Sequence, residues 1–351
     1  MWPKSFLMML GGVIALAGCG GIDNGAMVAP STVPVAAITY DALFVVNGEA
    51  NSISIINANT LELAATIAIE NASFPHHVNL SPDKASLAVA IPGADLSGGH
   101  GGVGHSNASM GAILQIDALT GKTRSARRLD GPNHNGIFSP DGREIWTSQM
   151  TMNGKVLVLD ASTLQTKQTI TVGDMPAEVT FSRDGRFAFV ANGMSNNVTV
   201  IDSITKAVVK TIDVGANPVG AWSGGDGAMY VDNEAGRTLT AINATSLEIV
   251  RTYNLGFTPG MAATAPNGEL WVTDAQNGKV VFFSSSTATK VGEIATGAGA
   301  HAIAFSTDGT TAYISNQGAD SVSVIDVLSH AFRRTIAVGA KPNGMVFRSN
   351  L

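Results

Sequence analysis

GIFSPDGREIWTSQ (136–149) sets two short apolar runs either side of a Pro-Asp-Gly turn. That is the pattern of a tight β-hairpin, because Gly supplies the backbone conformation the turn needs. The same tract recurs as VTFSRDGRFAFVAN (179–192) and IAFSTDGTTAYISN (303–316). Weaker copies are VNLSPDKASLAVAI (78–91), AWSGGDGAMYVDN (221–233) and MAATAPNGELWVTD (261–274). A third strand follows each, as in LVLDAST (157–163) and VTVIDSIT (198–205), and a fourth ends the unit, as in TKQTITVG (166–173). The turn residues Asp83, Asp141, Asp184, Asp226, Asn267 and Asp308 are 58, 43, 42, 41 and 41 positions apart. Four strands per period of roughly 42 residues is the signature of a propeller blade. The chain opens with only the last three strands of a unit, within 43–69, and ends with only a first strand, GMVFRSN (344–350). Pairing these two halves completes a seventh blade and leaves no sheet edge open at the junction. The expected fold is an all-β, seven-bladed β-propeller over residues 40–351.

These units resemble the YVTN-type propeller repeats, with Tyr230-Val231-Asp232-Asn233 and Tyr313-Ile314-Ser315-Asn316 at the namesake strand. The resemblance implies a fold and leaves activity open, since such propellers include binding proteins, lactonase-like enzymes and redox proteins.

Composition agrees. The 351 residues carry 27 acidic and 21 basic side chains, a net charge of −6, with 14% charged and 45% hydrophobic residues. A chain so rich in apolar residues is not a disordered one. The acidic balance, without a Lys/Arg run, argues against a nucleic-acid partner. A monomer is expected.

MWPKSFLMMLGGVIALAGC (1–19) has the layout of a secretory signal: Lys4, then an apolar stretch, then small residues. Leu16-Ala17-Gly18-Cys19 resembles the lipobox of bacterial lipoproteins. That resemblance implies a signal peptide at 1–18, lipidation of Cys19 and, with Gly20 next, an outer-membrane protein facing the periplasm or the cell surface. Cys19 is the single cysteine, so neither a disulfide nor a Cys-x-x-Cys-His site for covalent haem is available. Residues 19–39 read as the lipidated Cys followed by a flexible tether rich in Gly, Ala, Pro, Ser and Thr.

His placement is the most informative chemical signal. His76, His134 and His301 each precede their turn Asp by seven positions, so all three occupy one equivalent place at the start of an innermost strand. Asn343 holds that place in the closing blade, which puts His301, Asn343, His76 and His134 in four consecutive blades. His77 follows His76. A Gly-rich insertion, PGADLSGGHGGVGHSNASM (92–110), adds His100 and His105 on the same face. Only His330 falls on the opposite face.

Imidazoles from several blades suit copper or zinc. Met110, Met150, Met152, Met175 and Met194 map to loops of that face, and thioether ligands would favour Cu(I). Glu178, one residue past the aligned position in its blade, is a candidate ligand or catalytic base. The His76-His77 pair is similar to the paired-His ligation in the nitrous oxide reductase propeller. That family has more His ligands and a second copper domain bearing Cys, so its activity is not carried over. Trp146, Trp222 and Trp271 read as packing between blades.

Three functions follow. The first is a membrane-tethered binding or scaffold propeller with a His-bound metal, serving a periplasmic protein partner. The second is a metal-assisted lyase or lactonase, or a redox enzyme, using the same channel. The third is a metal-free interaction protein whose contact element is the loop 92–110.

Overall fold

A computed structural model of the chain describes Met1, residues 28–97 and residues 110–350. Every regular element among these residues is a β-strand, and the strands form seven antiparallel sheets. Six sheets contain four consecutive strands each, the blades one to six. Blade seven is built from both ends of the described chain: Pro342–Arg348 pairs antiparallel with Ala42–Asn47 in the register Ala42↔Arg348 and Val45↔Met345. The ring therefore closes as the strand inventory required.

Local chemistry sets each turn. In blade two, Ser139 Oγ donates to Asp141 Oδ1 at 2.6 Å, and the Arg143 amide donates to the same oxygen at 3.1 Å. Gly142 takes the left-handed φ of 72°. The Ser–Asp bond repeats at Ser81–Asp83, Ser182–Asp184 and Ser306–Asp308. Between third and fourth strands an Asp accepts from the amides two and three residues on. Asp160 does so from Ser162 and Thr163, and the Ser162 hydroxyl above all, with these two amides, holds its carboxyl down at about 2.

The Asn that ends several second strands ties off the opposite turn. Asn316 Nδ2 donates to Ser321 and Ser323, and Asn47 and Asn192 act in the same way. Second and third strands are almost wholly buried, and their Val, Ile, Leu and Ala side chains pack blade against blade.

One expectation is corrected. Residues 28–39, read as part of a flexible tether, form an ordered strap. Ser31–Thr32 adds a fifth strand to blade seven by pairing with Glu70 and Ile69. The Thr32 amide donates to Thr123 Oγ1, and the Val35 and Ile38 amides donate to Thr120 O and Leu119 O of blade one. Ile38 is buried, and its carbonyl accepts from Arg348 at 2.6 Å. The strap covers an outer strand edge and a seam, and the satisfied amides and buried Ile38 offset the cost of ordering it. Cys19 lies outside the described residues.

Candidate metal centre

The innermost strand of each blade is an edge strand lining the central channel. Four of them begin at Pro176, Pro218, Pro259 and Pro342; Pro suits a position with no ladder amide to donate. Just past this point the register shifts in several blades, between Pro176 and Val179 and between Ala300 and Ile303 among them. The irregularity frees two consecutive residues from the usual alternation of faces. His76 and His77, and Glu178, stand in those two places.

The cluster is tight. His76, His77 and His134 present ligand atoms that all lie within 4.8 Å of one another, and all three side chains are buried. His76 Nε2 and His134 Nε2 are 3.1 Å apart. Glu178 Oε1 lies 3.2 Å from His134 Nδ1 and 3.2 Å from His77 Nε2. When ionised, Glu178 accepts from His134 Nδ1–H and faces His77 Nε2 at ion-pair distance. It thereby sets His134 as the Nδ1–H tautomer and turns its Nε2 lone pair toward His76. This carboxylate–imidazole arrangement is the usual support of a metal-ligating His.

Glu178 is 1% exposed, and burial pushes its carboxyl well above the usual range, with the nearby Asp232 charge adding to the shift. A cation held among the imidazoles opposes that shift. Glu178 Oε2 has no hydrogen-bond partner among the described residues.

The cradle extends to blade seven. A Cβ on Gly344 would stand 2.6 Å from His77 Nδ1 and 2.8 Å from its Cα, so only Gly allows this approach. Gly344 also donates its amide to His76 O at 2.9 Å. Asn343, the aligned residue of this blade, accepts instead from Gln317 Nε2.

His301 stands beside the cluster rather than within it. Its ring centroid is 5.8 Å from that of His76 and 6.1 Å from that of His77. His77, the neighbour of an aligned residue, takes the third place that the aligned His301 was expected to fill. His100 and His105 lie outside the described residues. His330, in the turn between the third and fourth strands of blade six, bonds Glu269 Oε2 at 2.7 Å.

Met150 and Met175 pack with Leu96, Ala177 and Val219 over the apolar half of the channel. Met152 and Met194 are exposed. Leu96, from the insertion, is 3% exposed, and the neighbouring Asp95 reaches Lys341 Nζ at 2.5 Å.

Two further residues were not singled out for the site. Asp232 is fully buried, with Oδ1 accepting from the Gly220 amide at 2.9 Å and from Trp222 Nε1 at 2.7 Å. Burial raises its carboxyl well above the usual range, and Glu234 adds to the shift. Equivalent places hold Ser148, Ala191, Thr273 and Ser315, so a carboxylate there is the exception. Trp222, on an innermost strand, packs against the core between blades four and five as expected, and its ring centroid also lies 6.2 Å from that of His77. Trp146 and Trp271, on second strands, pack between blades, against Phe181 and Phe305.

A family described as Domain of unknown function (DUF5074) matches residues 120–266. No curated protein matches the chain significantly. Among solved structures, the periplasmic gluconolactonase of Pseudomonas aeruginosa is similar, with a TM-score of 0.71 and 18% identity over 89% of this chain and 99% of its own. Hydrazine synthase of Kuenenia stuttgartiensis has a TM-score of 0.67 and 18% identity over 88% of this chain and 99% of its own. The dihydro-heme d1 dehydrogenase NirN, solved with DHE, has a TM-score of 0.65 and 15% identity over 90% and 79%. At these identities the likeness is one of fold.

Proposed function

We propose that this chain is a membrane-tethered propeller, anchored through Cys19 at the outer membrane, that holds copper or zinc on His76, His77 and His134 and acts as a binding or scaffold protein. The observation that carries this reading is the 3.1 Å between His76 Nε2 and His134 Nε2, with Glu178 on the far nitrogen of His134. Two nitrogens each about 2.0–2.1 Å from a tetrahedral ion are roughly 3.3 Å apart, so an ion replaces the shared proton with little movement. Burial of all three rings favours a retained ion.

The test is metal content and titration on residues 20–351, beside His76→Ala/His134→Ala. Stoichiometric copper or zinc that disappears in the double variant supports the reading. No bound metal, or binding unchanged in the variant, overturns it and favours a metal-free interaction protein.

One observation favours a second reading. Glu178 touches two of the imidazoles and keeps one oxygen without a partner, as a base for a metal-bound water does. A metal-assisted lactonase fits that geometry, and one of the similar structures is titled a gluconolactonase. Hydrolysis of aldonolactones that needs the metal and is lost in Glu178→Gln would favour it.

A further inference from the structure

The strap determines the face from which the chain leaves toward its N-terminus. Val28 O accepts from Arg128 Nε at 3.2 Å and Nη2 at 2.8 Å, and the same guanidinium holds Asn71 O at 2.6 Å. Arg128 ends the outer strand of blade one, and Asn71 directly follows the outer strand of blade seven, Glu62–Glu70. Each outer strand runs toward the face where the next innermost strand begins, which is the face of His76, His77 and His134. From Val28 the strap descends antiparallel to Glu62–Glu70. It reaches Thr120 and Leu119 at the opposite face through the Val35 and Ile38 amides, and then enters blade seven at Ala42.

The direction matters because the remaining link is short. Eight residues lie between Cys19 and Val28, so the nine steps from one to the other span about 30 Å when fully extended. An anchor on this link cannot comfortably pass around the propeller, whose far face lies a further strand length away. We propose that the strap holds the propeller with its His-bearing channel mouth toward a lipid surface, so that the site receives its ligand at the bilayer. The proposal rests on the reading of Cys19 as the lipidated residue.

Energy transfer from a single donor dye to an acceptor lipid tests the orientation. The full chain is produced through the bacterial lipoprotein pathway and reconstituted in phospholipid vesicles. Lipidation blocks the thiol of Cys19, so Met194→Cys and Ile204→Cys each carry one reactive thiol. Position 194 is on the His-bearing face and 204 on the opposite one; Ile204 is 86% exposed. Transfer from 194 should exceed that from 204 several-fold. Inserting a flexible Gly/Ser segment of about 20 residues between 27 and 28 should erase the difference. Equal transfer, or more from 204, on an acylated chain overturns the orientation and leaves the anchor standing. A membrane-extracted chain whose mass lacks the acyl groups overturns the anchor, and the orientation falls with it.

Discussion

Glu178 Oε1 lies 3.2 Å from His134 Nδ1, on the side of the ring away from His76. The carboxylate therefore acts on any bound ion through the imidazole, raising its basicity and fixing its tautomer. Glu178→Gln should weaken metal binding about 10–100-fold, the usual effect of losing such a support. The fold should survive, since the substitution removes a buried carboxylate that the raised pKa marks as costly. Competition titration with a chelator of known affinity checks the first point, and thermal melting the second. Unchanged affinity would show that the ion, if any, does not use His134.

Gly344 tests the same centre from blade seven. Gly344→Ala drives a methyl into His77 Nδ1 and Cα, where backbone is the obstacle and little can give way. Metal affinity should fall, and overpacking should cost roughly 1–3 kcal/mol of stability. Titration and denaturant unfolding read the two effects separately. Retained affinity with lost stability would place His77 outside the ligand set.

Asp232 gives a pH dependence whose sign follows from its raised carboxyl. The unfolded group titrates near its ordinary value of about 3.9, whereas the folded group keeps its proton to higher pH. Its contribution to stability is therefore complete below about pH 4. It declines as pH rises through the folded value. Asp232→Asn removes that decline. The melting-temperature difference, variant minus wild type, should grow as pH increases above about 4 in metal-free protein. A difference flat with pH would mean that Asp232 is not the group titrating.

The fold was legible because the hairpin chemistry is local and repeated. Ser-x-Asp-Gly dictates its turn from within four residues, and three full copies with three variants make the register self-checking. His76 and His134 were legible for the same reason, being in step with their turn Asp. His301 has the same step but stands farther out, its ring centroid 5.8 Å from that of His76 against 4.5 Å for His134, because step along a strand specifies a height in the channel and not a distance across it. Trp222 shares the packing between blades read for Trp146 and Trp271, but its place before the turn, on an innermost strand, also brings it toward His77. Asp232 sits in the variable slot of the strand motif and is exceptional only beside Ser148, Ala191, Thr273 and Ser315. The strap had no such signal. Its Gly, Pro, Ser and Thr content suits a tether, and the order comes from amide partners on blades distant in sequence.

Arg348 joins that strap to the closing strand. Its guanidinium is buried and donates to Ile38 O at 2.6 Å. Arg348→Met keeps the apolar stem and leaves the carbonyl without this donor, which should cost roughly 1–3 kcal/mol. Denaturant unfolding checks the magnitude. Limited proteolysis should also cut near residues 28–40 sooner than in wild type. A stability within error of wild type would mean that ring closure does not depend on the strap.

Trp222 supplies an optical test of where the ion binds. Its ring centroid lies 6.2 Å from that of His77, and its Nε1 is held by Asp232. Cu(II) quenches indole emission at short range, whereas Zn(II), with a filled d shell, does not. Copper should quench a share of the emission that Trp222→Phe removes, and excess zinc should restore that share by competing for the same imidazoles. Trp146 and Trp271, packed between blades, should contribute little to it. Quenching that persists in full after Trp222→Phe would place the copper away from His77.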